Sequence, residues 1–433
     1  MKKNYILTFI TEFIVLSSQI LVYKLAAVFL GKQGFAEYAL AKRNISVIVP
    51  ILLLGLGVGI PRFVAMARAH GSASSPSLEK SRESSDSENP ESYFISAFSM
   101  ITVTVILFIL VAYLFADQIA FLLFGNQNYQ FLILPWATTI AGVCFHTLVY
   151  SYYRGYLKMK QANLLQLLNI GIIPLLVFSI PGITVSDIFL AMGLGWIATS
   201  GAMIFYIIKR NPLKNYGLGV LKNNSKQLFG YGIGRVPGDL GLLGFFSLPA
   251  ILTAHFSGIE QAGLVAFAIS ILTLMGSVFY PLGLIMLPEV SNQLARNDLI
   301  SVQANLKKLL KISLGLTVLM VLFLELFAPL IIKIYLGEEF LEAAYIMRLV
   351  LIGAVPYVVY SIFRNASDAL YVKPMNMKNI MIALIFFSLV AVAGGTFSYL
   401  LMALCGGLFI LGVFTWYDVN RAFRKVAKLE GMS

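Results

Sequence analysis

The chain has 433 residues, of which 59% are hydrophobic and 12% charged, against about 45–50% and about 25% in an ordinary soluble domain. With a mean hydropathy of +0.84, it has too little polar surface to wrap its own core. This excludes a soluble globular enzyme and points to many membrane-spanning helices of about 20 apolar residues each.

The amino terminus, Met1-Lys2-Lys3 followed by an apolar run to Leu30, is too long for a secretory signal core. It carries Glu12 and Lys24 and is not followed by a small-x-small cleavage site, so it reads as the first membrane helix. Further apolar stretches fall at about 35–62, 92–115, 129–152, 162–181, 187–208, 227–254, 262–288, 312–332, 345–364, 379–394 and 396–418. The spacing predicts about twelve transmembrane helices, the last two separated only by Gly394-Gly395. The polar stretch 71–91, rich in Ser, Glu and Asp, reads as a disordered-type cytoplasmic loop acting as a spacer. Tyr150, Tyr152, Tyr153 and Tyr156 stand where an interfacial aromatic belt is expected.

The distribution of cations checks the count, because Lys and Arg concentrate in alternate loops when no span is missed. With both termini cytoplasmic, 25 of the 32 basic residues fall in the inside segments and only Lys32 and Lys333 in the outside loops. The inside set includes Arg62 and Arg68, Arg154 and Lys158, and Lys209 and Arg210. The net charge of +12 is thus explained by topology, and nucleic acid is not implied as a partner.

The chain also repeats itself. Val149-Tyr150-Ser151-Tyr152-Tyr153-Arg154 closes the fourth span and Val359-Tyr360-Ser361-Ile362-Phe363-Arg364 the tenth, each preceded by an apolar-Gly pair, Phe124-Gly125 and Leu336-Gly337. One shift of 227 relates Gly31 to Gly258 and Pro61 to Pro288. An all-α integral membrane protein follows: an N-terminal six-helix lobe at 1–210, a cytoplasmic linker at 211–226 and a C-terminal six-helix lobe at 227–433. Because six is even, the lobes are parallel, an arrangement that encloses a central cavity.

No Walker loop, Ser-His-Asp order or HExxH is present, which removes an ATP motor and a hydrolase, and no catalytic residue is assigned. Cys144 and Cys405 lie inside apolar runs, and His70, His146 and His255 are scattered, so no metal site and no cofactor are expected. What remains is charge inside the hydrocarbon, which costs about 2.5–3.5 kcal/mol per residue at a helix centre and marks polar interiors. Lys24, Lys42, Arg43, Arg235 and Arg348 are the candidate substrate-binding cations. Lys24, Lys42 and Arg43 lie at similar depth, although adjacent Lys42 and Arg43 diverge by about 100°. Arg235 and Asp239 share a helix face, and the 227 shift sets Glu12 opposite Asp239. Glu12, Asp239 and Glu37 are the candidates for coupling to H+ or Na+. A snorkelling side chain or a locally neutralised pair is the structural alternative at each position.

The landmarks Gly31/Gly34, Tyr38-Ala39-Leu40, Leu54-Gly55-Leu56-Gly57 and Gly59-Ile60-Pro61-Arg62 resemble the start of polysaccharide-export flippases. These form the Wzx-like, O-antigen-exporting branch of the multidrug/oligosaccharidyl-lipid/polysaccharide (MOP) exporter superfamily. Arg154-Gly155 with Lys158 and Ala162, Gly258 to Ala268, and Leu287-Pro288-Glu289-Val290-Ser291 are similar to later parts of that family. The resemblance implies twelve helices in two lobes that work by alternating access. It implies an undecaprenyl- or dolichyl-linked oligosaccharide moved from the cytoplasmic to the outer leaflet of the inner membrane. Lys24, Arg43, Arg235 and their neighbours would form a cationic cavity for the carrier phosphate. Partners would include membrane lipids, glycosyltransferases and a polysaccharide polymerase. Two other classes stand beside this one. A multidrug/cation antiporter (MATE) of the same superfamily would carry an acid-dominated cavity, and a membrane enzyme would want a large outside loop or a His/Asp site.

Overall fold

The computed structural model describes residues 2–72, 89–211, 216–278, 299–370, 375–394 and 396–430, and these are helical almost throughout. Most of the 71–91 spacer and all of Leu287-Pro288-Glu289-Val290-Ser291 lie outside the described residues. Among the described residues ten helices are long and apolar enough to cross a membrane, or eleven with the bent pair Glu342–Leu351 and Ala354–Arg364 taken as one span.

The first of the ten, Leu7–Leu53, runs 47 residues, about 70 Å if straight and more than twice the hydrocarbon thickness. It is not straight. Gly31 has φ 63°, ψ −173°, a conformation that only glycine adopts cheaply. The Lys42 ammonium lies 4.2 Å from the Tyr23 ring centroid, whereas a continuous helix would separate residues 19 apart by about 28 Å. The chain therefore reverses at Gly31 into α1 (2–30) and α2 (32–53).

By internal packing the chain divides into Met1–Leu240 and Gly241–Ser433. The first unit continues with α3 (Leu56–Ser72), α4 (Pro90–Leu114), α5 (Ala116–Phe124) and α6 (Ile133–Gly155). Then come α7 (Met159–Phe178), α8 (Val185–Arg210) and α9 (Leu218–Ile233). The 211–226 stretch read as linker is in part helix: α9 is fastened to α4 by bonds from Asn224 to Ser92 and from Ser96 to the Leu221 carbonyl. The division between the two units falls inside α10 (Val236–Ser257).

Two breaks shape this unit. The second span is interrupted at Leu54 and Gly55, both with positive φ (50° and 72°), and α9 and α10 are separated at Gly234 and Arg235. The breaks pack backbone to backbone. A Cβ added to Gly55 would run into the Gly232 carbonyl, and one added to Gly232 into the Leu54 carbonyl. Within α7 a π turn at Leu167–Ile172 leaves carbonyls without helical partners. Two side chains of α1 supply them, Ser18 donating to the Gly171 carbonyl at 2.7 Å and Gln19 to the Ile170 carbonyl at 2.6 Å. Beside the turn, His146 bonds Gln166 and Asn169, and Asn169 meets Ser200 and Thr199. This polar seam has its own partners in α6, α7 and α8.

The second unit holds α11 (Ile259–Val278), α12 (Leu299–Tyr335), α13 (Glu342–Leu351), α14 (Ala354–Leu370), α15 (Met375–Gly394) and α16 (Phe397–Glu430). The last two, close in sequence, are separate helices joined by a buried Asn379 to Asp418 bond of 3.0 Å. The repeat in the sequence reappears in local conformation. Gly258 has positive φ (84°) like Gly31, and Gly337 (123°) like Gly125 (75°). Gly125 and Gly337 are each followed by a 3-10 turn, Gln127–Leu132 and Glu338–Phe340. Exposed rows such as Val103, Ile106, Leu107, Leu110 and Leu114 on α4, and Leu319, Leu322, Phe323 and Leu326 on α12, mark lipid-facing stripes at helical spacing.

The backbone crossing yields a test. Replacing Gly232 with Val forces the Leu54 carbonyl aside and should lower the thermal unfolding midpoint in detergent. Gly230→Ala, where an added Cβ meets nothing within 4 Å, should leave it unchanged or slightly raised. Equal midpoints for the two variants would mean that the crossing is slack.

Candidate functional site

The crossing places three side chains together. Arg62 lies on α3, one turn past Gly59, and Tyr231 and Arg235 flank the Gly232 contact on the other segment. The Arg62 guanidinium carbon is 4.7 Å from the Tyr231 ring centroid, and that of Arg235 is also 4.7 Å away. The ring is itself held: Phe63 meets it edge-on at 5.6 Å and stacks on Tyr93 at 5.2 Å. The Tyr93 hydroxyl donates to Gln227 Oε1 at 2.8 Å. Gly59 leaves the space beside Tyr231, where an added Cβ would be 3.5 Å from the ring.

Both arginines are exposed, and among the described residues neither guanidinium donates to a protein acceptor. Two cations that share one ring are at most 9.4 Å apart, the sum of the two 4.7 Å distances. At the effective dielectric of a protein surface they repel by on the order of 1–2 kcal/mol. Each carries five N–H donors in a planar fork suited to phosphate. An anion placed between them would remove the repulsion and fill those donors.

The cations picked from the sequence in the first unit do not form one group. Lys42 lies about 30 Å along its span from Arg62, over Tyr23 at 4.2 Å and Tyr38 at 5.5 Å. Its ammonium nitrogen is buried and has no hydrogen-bond partner among the described residues. Phe35, Phe178 and Phe189 pack behind those rings. Lys24, next to Tyr23, and Arg43, next to Lys42, are half-buried. Arg348 belongs to the second unit, where it donates to the Glu325 carbonyl at 2.9 and 2.8 Å and lies 3.8 Å from its carboxylate. Of the acids, Glu37 is buried and accepts from Gln33 at 3.1 Å. Glu12 is half-buried on α1, where Arg154 acts on it electrostatically. Asp239 is half-buried in the first turn of α10, its amide bonded to the Arg235 carbonyl. Among the described residues no cluster of three or more His, Cys, Asp or Glu could hold a metal ion.

Sequence reasoning counted Arg62 among loop cations and did not single out Tyr231. The signal available was local: Gly55, Gly59 and Pro61 interrupt the second span just before Arg62, and Tyr231 precedes Arg235 by one turn.

Residues 1–294 match the family described as polysaccharide biosynthesis protein. The chain belongs to that family. No curated protein matches it significantly by sequence. Its fold is that of MOP superfamily transporters. An inward-facing multidrug resistance MATE family transporter superposes with a TM-score of 0.74 at 15% identity, covering 95% of each chain. Lipid II flippase MurJ, in an inward closed conformation, gives 0.72 at 15% identity over 98% of this chain and 90% of its own. A MOP superfamily transporter from Pyrococcus furiosus, described by a reversed polarity of its binding pocket, gives 0.62 at 16% identity over 98% and 96%. This member of the polysaccharide biosynthesis family is thus a multi-pass helical membrane protein whose structural neighbours are transporters and flippases.

The arginine pair can be tested without a transport assay. Inorganic pyrophosphate should raise the unfolding midpoint of the detergent-purified protein by mass action, and chloride at matched ionic strength should not. Tyr231→Phe should keep the effect, whereas Arg62→Ala and Arg235→Ala should remove most of it. A pyrophosphate shift that persists in both alanine variants would place the anion elsewhere.

Proposed function

We propose that this protein is a flippase for a polyprenyl phosphate- or pyrophosphate-linked oligosaccharide, working by alternating access in the inner membrane and supplying cell-surface polysaccharide synthesis. The observation that carries the reading is the pair of exposed guanidiniums on Tyr231. The family and the fold shared with a lipid II flippase support it. In this reading the termini are cytoplasmic, so Arg62 and Arg235 lie toward the cytoplasmic ends of their spans. They receive the carrier's phosphate there by forked, charge-assisted bonds. The polyprenyl tail stays in lipid along the exposed apolar stripes, and the saccharide is carried by polar and aromatic surface. Lys42 with its neighbours Lys24 and Arg43 forms a second cationic level toward the outer side, where a phosphate leaving Arg62 and Arg235 finds charge again. Exchange of H+ or Na+ at Glu12, Asp239 or Glu37 supplies the coupling, and glycosyltransferases and a polymerase are the upstream and downstream partners. The antiporter reading has the fold likeness to MATE transporters on its side, but the open charge here is basic, which disfavours an organic cation.

The decisive measurement is translocation of a lipid-linked oligosaccharide in reconstituted vesicles. Arg62→Ala and Arg235→Ala should each slow it about ten-fold or more, the cost of one lost charged hydrogen bond. Arg62→Lys, a point charge without the fork, should fall between. Wild-type rates in both alanine variants would end the proposal, and uptake of a fluorescent organic cation that depends on Asp239 would replace it with the antiporter.

A further inference from the structure

Two of the tyrosines expected in an interfacial belt are turned inward. Tyr152 and Tyr153 are buried. They line a pocket of about 350 Å³ at the ends of α4, α6 and α8, together with Glu91, Lys158, Tyr206, Arg210 and Asn211. That volume holds about a dozen water-sized groups. Glu91 is fixed in the first turn of α4, where Asn89 caps its amide at 3.1 Å. Its Oε1 accepts from the Tyr152 hydroxyl at 3.3 Å and the Tyr156 hydroxyl at 3.0 Å. Among the described residues Oε2 takes no hydrogen bond. Arg68 donates to the Tyr156 carbonyl at 2.8 Å and pins that turn. Burial and the Glu91 carboxylate push the Tyr156 phenol up to about 12, so it remains a donor at any physiological pH. The same pocket is lined by two cations on aromatic rings, Arg210 over Tyr206 at 4.6 Å and Lys158 over Tyr156 at 4.3 Å.

A carboxylate and two cations in one small cavity fit neither a simple anion nor a simple cation. They fit a zwitterion. Leu157 beside Lys158 and Phe205 beside Tyr206 are exposed, and α8 exposes Leu190 and Leu194 further along. These exposed apolar side chains would take an acyl chain. We infer that this pocket binds the headgroup of a membrane phospholipid carrying a primary amine, of the phosphoethanolamine type. Lys158 and Arg210 hold the phosphate, and Glu91 Oε2 takes the ammonium between tyrosine rings. The site is distinct from the arginine pair on Tyr231 and does not depend on the transport reading.

The test is native mass spectrometry of the full-length protein titrated with short-chain phospholipids, with free O-phosphoethanolamine as the soluble arm. Phosphatidylethanolamine should bind about ten-fold more tightly than phosphatidylglycerol or phosphatidylcholine, as expected for one charged hydrogen bond. Arg210→Gln should weaken phosphatidylethanolamine and phosphatidylglycerol alike. Glu91→Gln should bind phosphatidylglycerol normally and lose the preference. Equal wild-type affinity for the three lipids, or a preference that survives Glu91→Gln, overturns the inference. Free O-phosphoethanolamine binding as tightly as the lipid overturns the lipid assignment. Should Glu91→Gln fail to fold, wild-type affinity for mono-, di- and trimethylated headgroups decides: stepwise loss supports the site, and a flat series overturns it.

Discussion

The close approach of Gly55 and Gly232 governs the first unit. Neither position tolerates a side chain, so two broken helices meet at a distance that ordinary residues forbid. Each break leaves backbone groups outside regular helical pairing, which at membrane depth is sustained only inside protein or beside water. The contact also fixes the register of everything near it. With Gly232 against Leu54 and Gly55, Tyr231 falls beside Gly59, and Arg62 and Arg235 reach the same ring. Small residues at a crossing are common in membrane helices because they let dispersion act at short range. Here they also bring like charges together at a cost that a bound anion would offset.

The other polar elements of the unit behave differently. The π turn in α7 is matched carbonyl by carbonyl by Ser18 and Gln19, and His146 is bonded on both ring nitrogens. These groups use up one another's hydrogen-bonding capacity, as buried polar groups do when they support a structure. Arg62 and Arg235 keep theirs. Arg348, bonded twice to a backbone carbonyl and close to a carboxylate, belongs with the satisfied groups.

Two chemically different clusters of charged and aromatic side chains therefore stand in the first unit. One sets two guanidinium forks on one ring and suits phosphate. The other balances Glu91 against Lys158 and Arg210 inside a tyrosine-lined cavity and suits a zwitterion. The same residue types serve both, and the difference lies in whether a carboxylate is held within reach. Tyr231 has cations around its ring, while Tyr152 and Tyr156 turn their hydroxyls onto an acid.

Much of the architecture was determined by the sequence alone, because a bilayer permits few solutions. Apolar stretches of spanning length led to an all-helical membrane fold, the repeated Gly and VYSxxR landmarks led to a duplication, and Gly31 and Gly258, like Gly125 and Gly337, share a positive φ. What tertiary structure decided was which polar groups are already satisfied and which face each helix turns inward. Arg62 counted as a loop cation until the Gly55 break turned it toward Tyr231, and Tyr152 as an interfacial ring until Glu91 was folded beneath it. Hydropathy fixes a residue's height along the membrane normal. Its partners are set by rotation about the helix axis and by helices far away in sequence, and no local pattern records either.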